Sequence, residues 1–202
     1  MQPFVVFALP RSRTAWMSRY LSYDGRFLVG HDIAARSDSI EGFFRNFDEG
    51  LSGTVETGAM MGWRLFRERF PDAPIAVVRR SIEDVKLSLA RFGVAPREGD
   101  LEARAAVLDE LEKEPGVLSV TFRDLCEARN RRRVFEHCLG CAWDQEWDAR
   151  LASVDIQVDF MRELREVAVN QERIAAMKRV VEAHFLVGLH ALVRRRATSD
   201  FR

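Results

Sequence analysis

Near its start the chain runs Phe4-Val-Val-Phe-Ala-Leu-Pro-Arg-Ser-Arg-Thr-Ala-Trp-Met-Ser-Arg-Tyr20. The first six of these residues are apolar without alternation, which is typical of a strand covered on both faces. Pro10 has no N–H to donate and therefore ends the strand. A helix is predicted from Thr14 to Ser22, so two arginines and two hydroxyls lie where the free N–H groups of a new helix point outward. A loop of this kind favours phosphate or sulfate as its ligand.

Strands and helices alternate after this segment. Further strands are predicted at Pro74–Val78 and Val117–Phe122, because both stretches are short and apolar. Between the strands, helical periodicity and capping residues predict helices at Ser39–Leu51, Met60–Phe70, Ser81–Phe92 and Leu101–Lys113. Asp38 or Ser39 is expected to cap the first of these, and Ser81 another. The order predicts an α/β domain with a mostly parallel central sheet and helices on both faces.

The later part of the chain is predicted to be largely helical. A helix from Leu125 to Leu139, capped by Gly140, leads to a connection rich in tryptophan, and helical spacing continues from about Met161 to Arg196. No linker divides the chain, so we expect a single domain over residues 1–202. Residues 1–143 would be its α/β core and residues 144–202 a helical extension, through which two copies could pair as a homodimer.

Composition and charge limit the classes of partner. The chain has 202 residues, 47% of them hydrophobic, and its 31 basic and 31 acidic side chains cancel. No general affinity for nucleic acid or acidic membranes follows from this balance. The apolar runs are too short for a membrane span or a signal peptide, and three cysteines suit a reducing compartment, so we expect a cytoplasmic protein. The pair Cys138 and Cys141 ends a predicted helix, which favours a structural role over a metal or redox site.

A second basic segment follows the strand at Pro74–Val78. Arg79 and Arg80 come directly after this strand, and Ser88 lies eight residues beyond Arg80 on the next predicted helix. An arginine at the carboxyl end of a strand and a serine on the following helix can converge on one anion at the edge of an open sheet. Two such sites on neighbouring strands suggest a ligand that carries phosphates at both ends.

Three segments together resemble the sulfotransferases. The loop Leu9-Pro-Arg-Ser-Arg-Thr-Ala-Trp16 looks like their 5′-phosphosulfate loop, Pro-(Lys/Arg)-Ser-Gly-Thr-Thr-(Trp/Leu), and is nearest to the tyrosylprotein branch. Arg80-Ser-Ile-Glu-Asp-Val-Lys-Leu-Ser88 is similar to their 3′-phosphate motif, Arg-Asn-x-x-Asp-Val-x-x-Ser. Val117–Leu125 and Leu139-Gly140 resemble the family's next strand, its Tyr-Glu-Asp-Leu and its Phe-Leu-Gly.

This resemblance implies a three-layer fold of P-loop type. It also implies binding of 3′-phosphoadenosine 5′-phosphosulfate and transfer of its sulfuryl group to a hydroxyl or amine of a small-molecule or peptide acceptor, with no metal. Arg11 would stabilise charge on the departing phosphate, and Trp16 would lie against the adenine. The residues that would hold the two phosphates are Ser12, Thr14, Arg80 and Ser88, with the backbone of the loop through Arg13 and Ala15.

Two residues of the loop depart from the family pattern. Arg13 stands where the family has glycine, and Ala15 stands where it has a second threonine. Glycine takes positive φ readily, so Arg13 must either adopt an unusual backbone geometry or the loop must open. Ala15 removes one hydroxyl that could contact the phosphate.

The base that accepts the acceptor's proton has three candidates. In the tyrosylprotein branch a Gly-Glu-Glu follows the loop, and Gly30-His31-Asp32 falls in that register here. Asp32 matches the catalytic glutamate by position, whereas His31 is the type of side chain that changes charge near neutral pH. Glu56, which ends another short strand, is the third candidate. The sequence leaves the choice open.

Two other functions remain open from the sequence. A P-loop kinase acting on a small molecule has a similar fold, but the loop lacks Gly-Lys-Ser/Thr and no second strand ends in a clear magnesium aspartate. A non-catalytic nucleotide-binding or assembly protein that retains the fold is the other alternative. Arg13 and Ala15 favour that alternative because they alter the loop.

Overall fold

Residues 2–154 are described by a computed structural model. Within this range five strands and seven α-helices alternate, and short 3-10 turns join some of them. The strands are β1 (Phe4–Ala8), β2 (Val29–His31), β3 (Gly53–Glu56), β4 (Ile75–Arg79) and β5 (Val117–Thr121). The helices are α1 (Thr14–Leu21), α2 (Ile40–Asp48), α3 (Trp63–Arg69), α4 (Ile82–Ala90), α5 (Asp100–Leu111), α6 (Ala128–Leu139) and α7 (Gln145–Ala152).

The strands form a parallel sheet in the order β2-β3-β1-β4-β5, which puts the first strand at its centre. Every residue of β1 is at most 1% exposed, as expected of an apolar run covered on both faces. Because the strands are parallel, their carboxyl ends lie along one edge of the sheet, where ligands of open α/β sheets bind. The predicted three-layer α/β fold with a mostly parallel central sheet is confirmed for the described residues.

Two apolar cores cover the faces of the sheet, because successive side chains of a strand point to opposite sides. Phe4 and Val6 of β1 belong to one core, together with residues of α1 and α6. Val5 and Phe7 belong to the other core, with residues of α2, α3, α4 and α5. Packing from both sides fixes β1 and therefore the position of the loop that follows it.

The helix ends confirm three predictions made from capping patterns. The Ser39 hydroxyl accepts a hydrogen bond from the Gly42 N–H at 2.9 Å, which starts α2. The Ser81 hydroxyl accepts from the Asp84 N–H at 3.1 Å, which starts α4. Gly140 ends α6 in the left-handed conformation, with φ of 61°. Each of these helix ends is formed by residues close in sequence, so it could be predicted without the tertiary structure.

Three helical segments differ from their predicted form. The helix predicted at Leu125–Leu139 is a 3-10 turn over Asp124–Cys126 followed by α6, because the backbone of Glu127 is extended between them. The single helix predicted at Met60–Phe70 is a 3-10 turn over Ala59–Gly62 followed by α3, because Gly62 leaves helical geometry at the junction. The tryptophan-rich connection contains a helix, α7. It begins after Asp144, whose carboxylate accepts a hydrogen bond from the Trp147 N–H at 2.9 Å.

Helix α7 is attached to the core by a buried polar network. Arg131 of α6 donates two hydrogen bonds to the Asp148 carboxylate, at 2.6 and 2.7 Å, and the Tyr20 hydroxyl donates a third at 2.9 Å. The predicted helical stretch from Met161 to Arg196 lies outside the described residues. None of the helices within residues 2–154 is long and apolar enough to span a bilayer.

Candidate functional site: a loop of arginines at the carboxyl edge of the sheet

The loop between β1 and α1 exposes backbone donors at the centre of the sheet edge. Arg11 and Arg13 both have positive φ, 66° and 61°, and Arg13 is the residue that precedes the first helical position. Arg13 thus takes the left-handed geometry that the family's glycine would take, and the loop does not need to open. The first helical bond runs from the Met17 N–H to the Arg13 carbonyl at 2.8 Å, so the N–H groups of residues 14–16 have no partner among residues 2–154 and are open to a ligand.

The two hydroxyls of the loop have different partners. Ser12 is buried, and its Oγ has no hydrogen-bond partner among residues 2–154. Buried polar groups nearly always have a hydrogen-bond partner in native proteins, so this hydroxyl is a candidate for hydrogen bonding to a ligand. Thr14 Oγ1 lies 3.0 Å from Nε2 of His31, which follows from the position of β2 on the same edge. Ala15 is exposed and contributes only its backbone N–H.

Trp16 lies in the core, not in the loop's opening. Its ring is 3% exposed and stacks on Tyr20 at a centroid distance of 4.7 Å, and its Nε1–H donates to the Leu151 carbonyl at 2.9 Å. The ring therefore presents no free face to an adenine. The base contact that the family resemblance implies for Trp16 does not fit this placement, because α7 covers the side chain.

The structure brings the second basic segment against the loop. Arg80 donates from its guanidinium to the Arg11 carbonyl, and Arg11 Nε donates to Ser88 Oγ at 3.2 Å. The neighbouring Arg79 turns the other way and pairs with Asp109 and with another carboxylate of the α5 region. Of this arginine pair, Arg80 is therefore the one that is bonded to the loop.

The positive charges of this edge lack carboxylate partners. Among residues 2–154, the guanidinium groups of Arg11, Arg13 and Arg80 form no salt bridge. Burial lowers the pKa of Arg80, and the nearby charges of Arg11 and Arg91 lower it further, while Asp84 opposes this effect. Like charges held this close are stabilised when an anion binds between them. The site is therefore arranged for an anionic ligand.

A cavity of about 410 Å³ adjoins Arg80. Phe122, which directly follows β5, lies under the Arg80 guanidinium at 4.2 Å from its ring centroid. The rest of the lining is polar and includes one carboxylate: Arg79, Ser81, Asp84, Thr121 and Arg123. Sequence reasoning missed Phe122 as a site residue. The signal was available, because Phe122 occupies the position after β5 that Arg80 occupies after β4.

His31 ends β2 and Asp32 follows it at the same edge. Asp32 has φ of 48°, and its Oδ1 accepts hydrogen bonds from the N–H and hydroxyl of Thr57 at 2.7 and 2.9 Å. Its other oxygen, Oδ2, lies 3.5 Å from His31 Nε2. One oxygen of Asp32 thus anchors the end of β3, and the other faces the imidazole. His31 is partly exposed and lies between this carboxylate and Thr14 of the loop.

Glu56 is placed differently from the other two candidate bases. It is 1% exposed, and its Oε1 accepts hydrogen bonds from the Thr54 hydroxyl at 2.6 Å and from the Ile33 N–H at 2.8 Å. Burial raises the pKa of Glu56 to about 7, the charge of Asp32 adds to this, and the two hydrogen bonds oppose it. A carboxyl group this buried does not reach an acceptor. Its contacts instead hold the turn that carries His31 and Asp32.

Comparisons with known proteins add little to this description. No protein-family model matches the chain, and no curated protein matches its sequence. Among solved structures, a gluconokinase from Sinorhizobium meliloti 1021 is similar with a TM-score of 0.44 and 15% identity, over 75% of this chain and 93% of that one. A similarity of this size carries no argument about ligand or activity.

Proposed function

We propose that the protein is a sulfotransferase that binds 3′-phosphoadenosine 5′-phosphosulfate and sulfates a hydroxyl or amine. The observation that carries the proposal is the joining of the two basic segments. Arg11 contacts Ser88, and Arg80 contacts the backbone of Arg11. The loop after β1 and the segment after β4 thus form one site with two anion-binding ends, which suits a nucleotide with phosphates at its 3′ and 5′ positions.

The residues present fit such a nucleotide. The free N–H groups of residues 14–16 and the Ser12 hydroxyl would hold the 5′-phosphate, and Arg80 with Ser88 would hold the 3′-phosphate. The cavity beside Phe122 would take the nucleoside, with this ring replacing Trp16 as the surface for the base.

The chemistry follows from what the side chains can do around the bound donor. The nucleotide supplies a sulfuryl group whose bond to the bridging phosphate oxygen breaks as the acceptor's oxygen or nitrogen bonds to sulfur. Arg11 stabilises the negative charge that develops on the departing phosphate. His31 takes the acceptor's proton, since its Nε2 lies 3.0 Å from Thr14 at the phosphate-binding end of the loop. Asp32, 3.5 Å from the same nitrogen, stabilises the imidazolium that results.

A small-molecule kinase is the second candidate, and one observation favours it. Thr14 begins α1, Asp32 directly follows β2 and Glu56 ends β3, so their hydroxyl and carboxylate groups belong to the same edge, and such oxygens are the ligands of Mg²⁺. Against it, the loop has no Gly-Lys-Ser/Thr. Ala15 also lacks the hydroxyl that a magnesium-binding P-loop presents at this position.

Ligand binding separates these functions. A thermal-shift titration of the full chain is expected to show stabilisation by adenosine 3′,5′-bisphosphate and none by ATP with magnesium. Arg80→Met and Ser88→Ala should each weaken bisphosphate binding by about tenfold or more, because hydrogen bonds to charged groups are worth about 1.5–3 kcal/mol. The control Arg132→Met, an exposed arginine of α6, should bind as the wild type does.

Transfer of labelled sulfate from the donor to mixed alcohols and amines then tests catalysis. His31→Gln should lower the rate while leaving bisphosphate affinity unchanged, because the imidazole acts on the acceptor. Stabilisation by ATP with magnesium alone would favour the kinase. Bisphosphate binding with no transfer to any acceptor would favour the non-catalytic alternative, and no response to the bisphosphate would refute the proposal.

A further inference from the structure

A second cavity, of about 350 Å³, lies between the start of α2 and the turn that precedes α3. Its walls are mainly apolar and include Phe43, Phe44, Ala59 and Leu65. Ligand sites in proteins have volumes of about 300–1,000 Å³ and are lined predominantly by apolar side chains. This cavity has the size and the character of a site for a small organic molecule.

The floor of the cavity is rigid and its rim is open. Phe43 packs edge-on against Phe44 and against Phe47, each at a centroid distance of 5.4 Å, so the aromatic floor is held by the core beneath it. At the rim Ile40 is 55% exposed and Leu65 is 41% exposed. Large apolar side chains grouped around an open cavity are typical of a ligand-binding surface.

Two short stretches of chain join the cavity to the candidate bases. Ala34, which lines it, comes two residues after Asp32, so their Cα atoms are at most about 7.6 Å apart. Ala59, on the opposite wall, comes two residues after Thr57, whose N–H and hydroxyl bind the Asp32 carboxylate. The end of the cavity at Ala34 and Ala59 is therefore the end that the chain joins most directly to His31 and Asp32.

The polar groups of the wall indicate the charge of the ligand. Asp38 is the charged side chain that lines this cavity within residues 2–154. The hydroxyls of Ser37 and Ser39 are already used, since Ser37 donates to the Ile33 carbonyl at 2.9 Å and Ser39 caps α2. A sugar would leave most of its hydroxyls without partners here, and a carboxylate would be repelled by Asp38.

We propose that this cavity is the acceptor subsite and that it takes an aromatic alcohol or amine that carries no negative charge. The inference rests on the proposed sulfuryl transfer and specifies its substrate class. The apolar body of the acceptor packs on Phe43 and Phe44, and its hydroxyl or amino group reaches towards His31. Asp38 favours an ammonium group over a carboxylate.

Four small probes test this assignment by ligand-observed NMR on the full chain, with and without adenosine 3′,5′-bisphosphate. 2-Phenylethanol and 2-phenylethylamine are expected to bind, whereas phenylacetate and glucose are not. Gly62→Leu should weaken both aromatic probes by about tenfold or more. Gly62 lines the cavity, and a Cβ built there meets no atom within 4 Å, so the added side chain should not disturb the fold.

Gly58→Leu is the matched control. A Cβ at Gly58 also meets nothing within 4 Å, and Gly58 does not line the cavity, so its variant should bind the probes as the wild type does. Asp38→Asn should bring the affinity for 2-phenylethylamine down to that for 2-phenylethanol. This change isolates the charge from the shape of the cavity.

The outcomes distinguish the inference from the proposed function. Aromatic probes that bind Gly62→Leu as tightly as the wild type, or glucose binding in their place, would overturn the acceptor subsite. Bisphosphate binding without probe binding would overturn the subsite and leave the sulfotransferase proposal standing. Probe binding without bisphosphate binding would remove the sulfotransferase and with it the assignment of the cavity as an acceptor subsite.

Discussion

The wild-type protein is expected to lose stability as the pH rises towards neutrality. Replacing Glu56 by glutamine should abolish most of this pH-dependent loss. Burial raises the pKa of Glu56 from its ordinary value of 4.5 to about 7 in the folded protein. The folded state therefore binds the proton more tightly than the unfolded chain, so stability falls as the pH rises from 4.5 to about 7 and is level above that range. Each tenfold difference in proton affinity is worth about 1.4 kcal/mol, so the loss is about 3 kcal/mol.

The Glu56→Gln variant keeps the contacts that matter. The carbonyl of the new amide can accept from the Thr54 hydroxyl and the Ile33 N–H as Oε1 does, at 2.6 and 2.8 Å in the wild type. The amide nitrogen occupies the place of Oε2, which has no hydrogen-bond partner among residues 2–154. The amide has no charged form, so it cannot contribute a pH-dependent loss.

Urea unfolding at pH 5, 6, 7 and 8 measures the effect. The free energy of unfolding of the wild type should fall by about 2.5 kcal/mol more than that of Glu56→Gln over this range, because part of the loss occurs below pH 5. The exposed carboxyl of Glu98 supplies a control, because Glu98→Gln should leave the wild-type pH dependence unchanged. Parallel curves for the wild type and Glu56→Gln would show that this carboxyl does not titrate near neutrality.

Three further changes test the packing and the loop. Asp148→Asn should lower the free energy of unfolding by about 3–5 kcal/mol in urea, because it leaves the buried guanidinium of Arg131 without its counter-charge. Gly53→Ala should lower it by about 1–3 kcal/mol, since the new Cβ would lie 2.4 Å from the ring of Phe4 in the core. Arg13→Gly should raise it by about 1 kcal/mol in the same assay, because glycine takes a φ of 61° without strain.

Each of these changes has a matched comparison. Glu136→Gln removes an exposed helix ion pair with Arg132 and should change stability by less than about 0.5 kcal/mol; a loss equal to that of Asp148→Asn would contradict the buried pair. Gly58→Ala should be nearly neutral, because its Cβ meets nothing. Arg13→Ala removes the charge but keeps the strain, so a gain equal to that of Arg13→Gly would show that charge, not backbone geometry, limits the loop.

The parts of the fold that the sequence predicted correctly are those decided by near neighbours. The unbroken apolar run of Phe4–Leu9, the stop at Pro10 and the hydroxyl caps Ser39 and Ser81 act within a few residues of chain. One local signal was missed: Asp144 caps α7, but the segment was predicted to be a connection without a helix.

The site was only partly accessible to the same reasoning. Arg11 and Arg80 could be paired from sequence, because parallel strands bring their carboxyl ends to one edge whatever lies between them. The direction in which each side chain points could not be predicted from sequence. Arg79 and Arg80 are alike in sequence, and only the carboxylates of the α5 region draw Arg79 away from the loop.

The central strand, the basic loop and the helix that follows it could be read from the amino-acid order, because each depends on neighbouring residues. Which side chains are covered depends on the folded chain. Trp16 is closed off by a helix whose Leu151 lies 135 residues away, and Glu56 titrates near neutrality because residues of distant elements exclude water from it. The burial of a side chain depends on the elements that pack against it from elsewhere in the chain. The residues next to Trp16 and Glu56 in sequence do not indicate which elements these are.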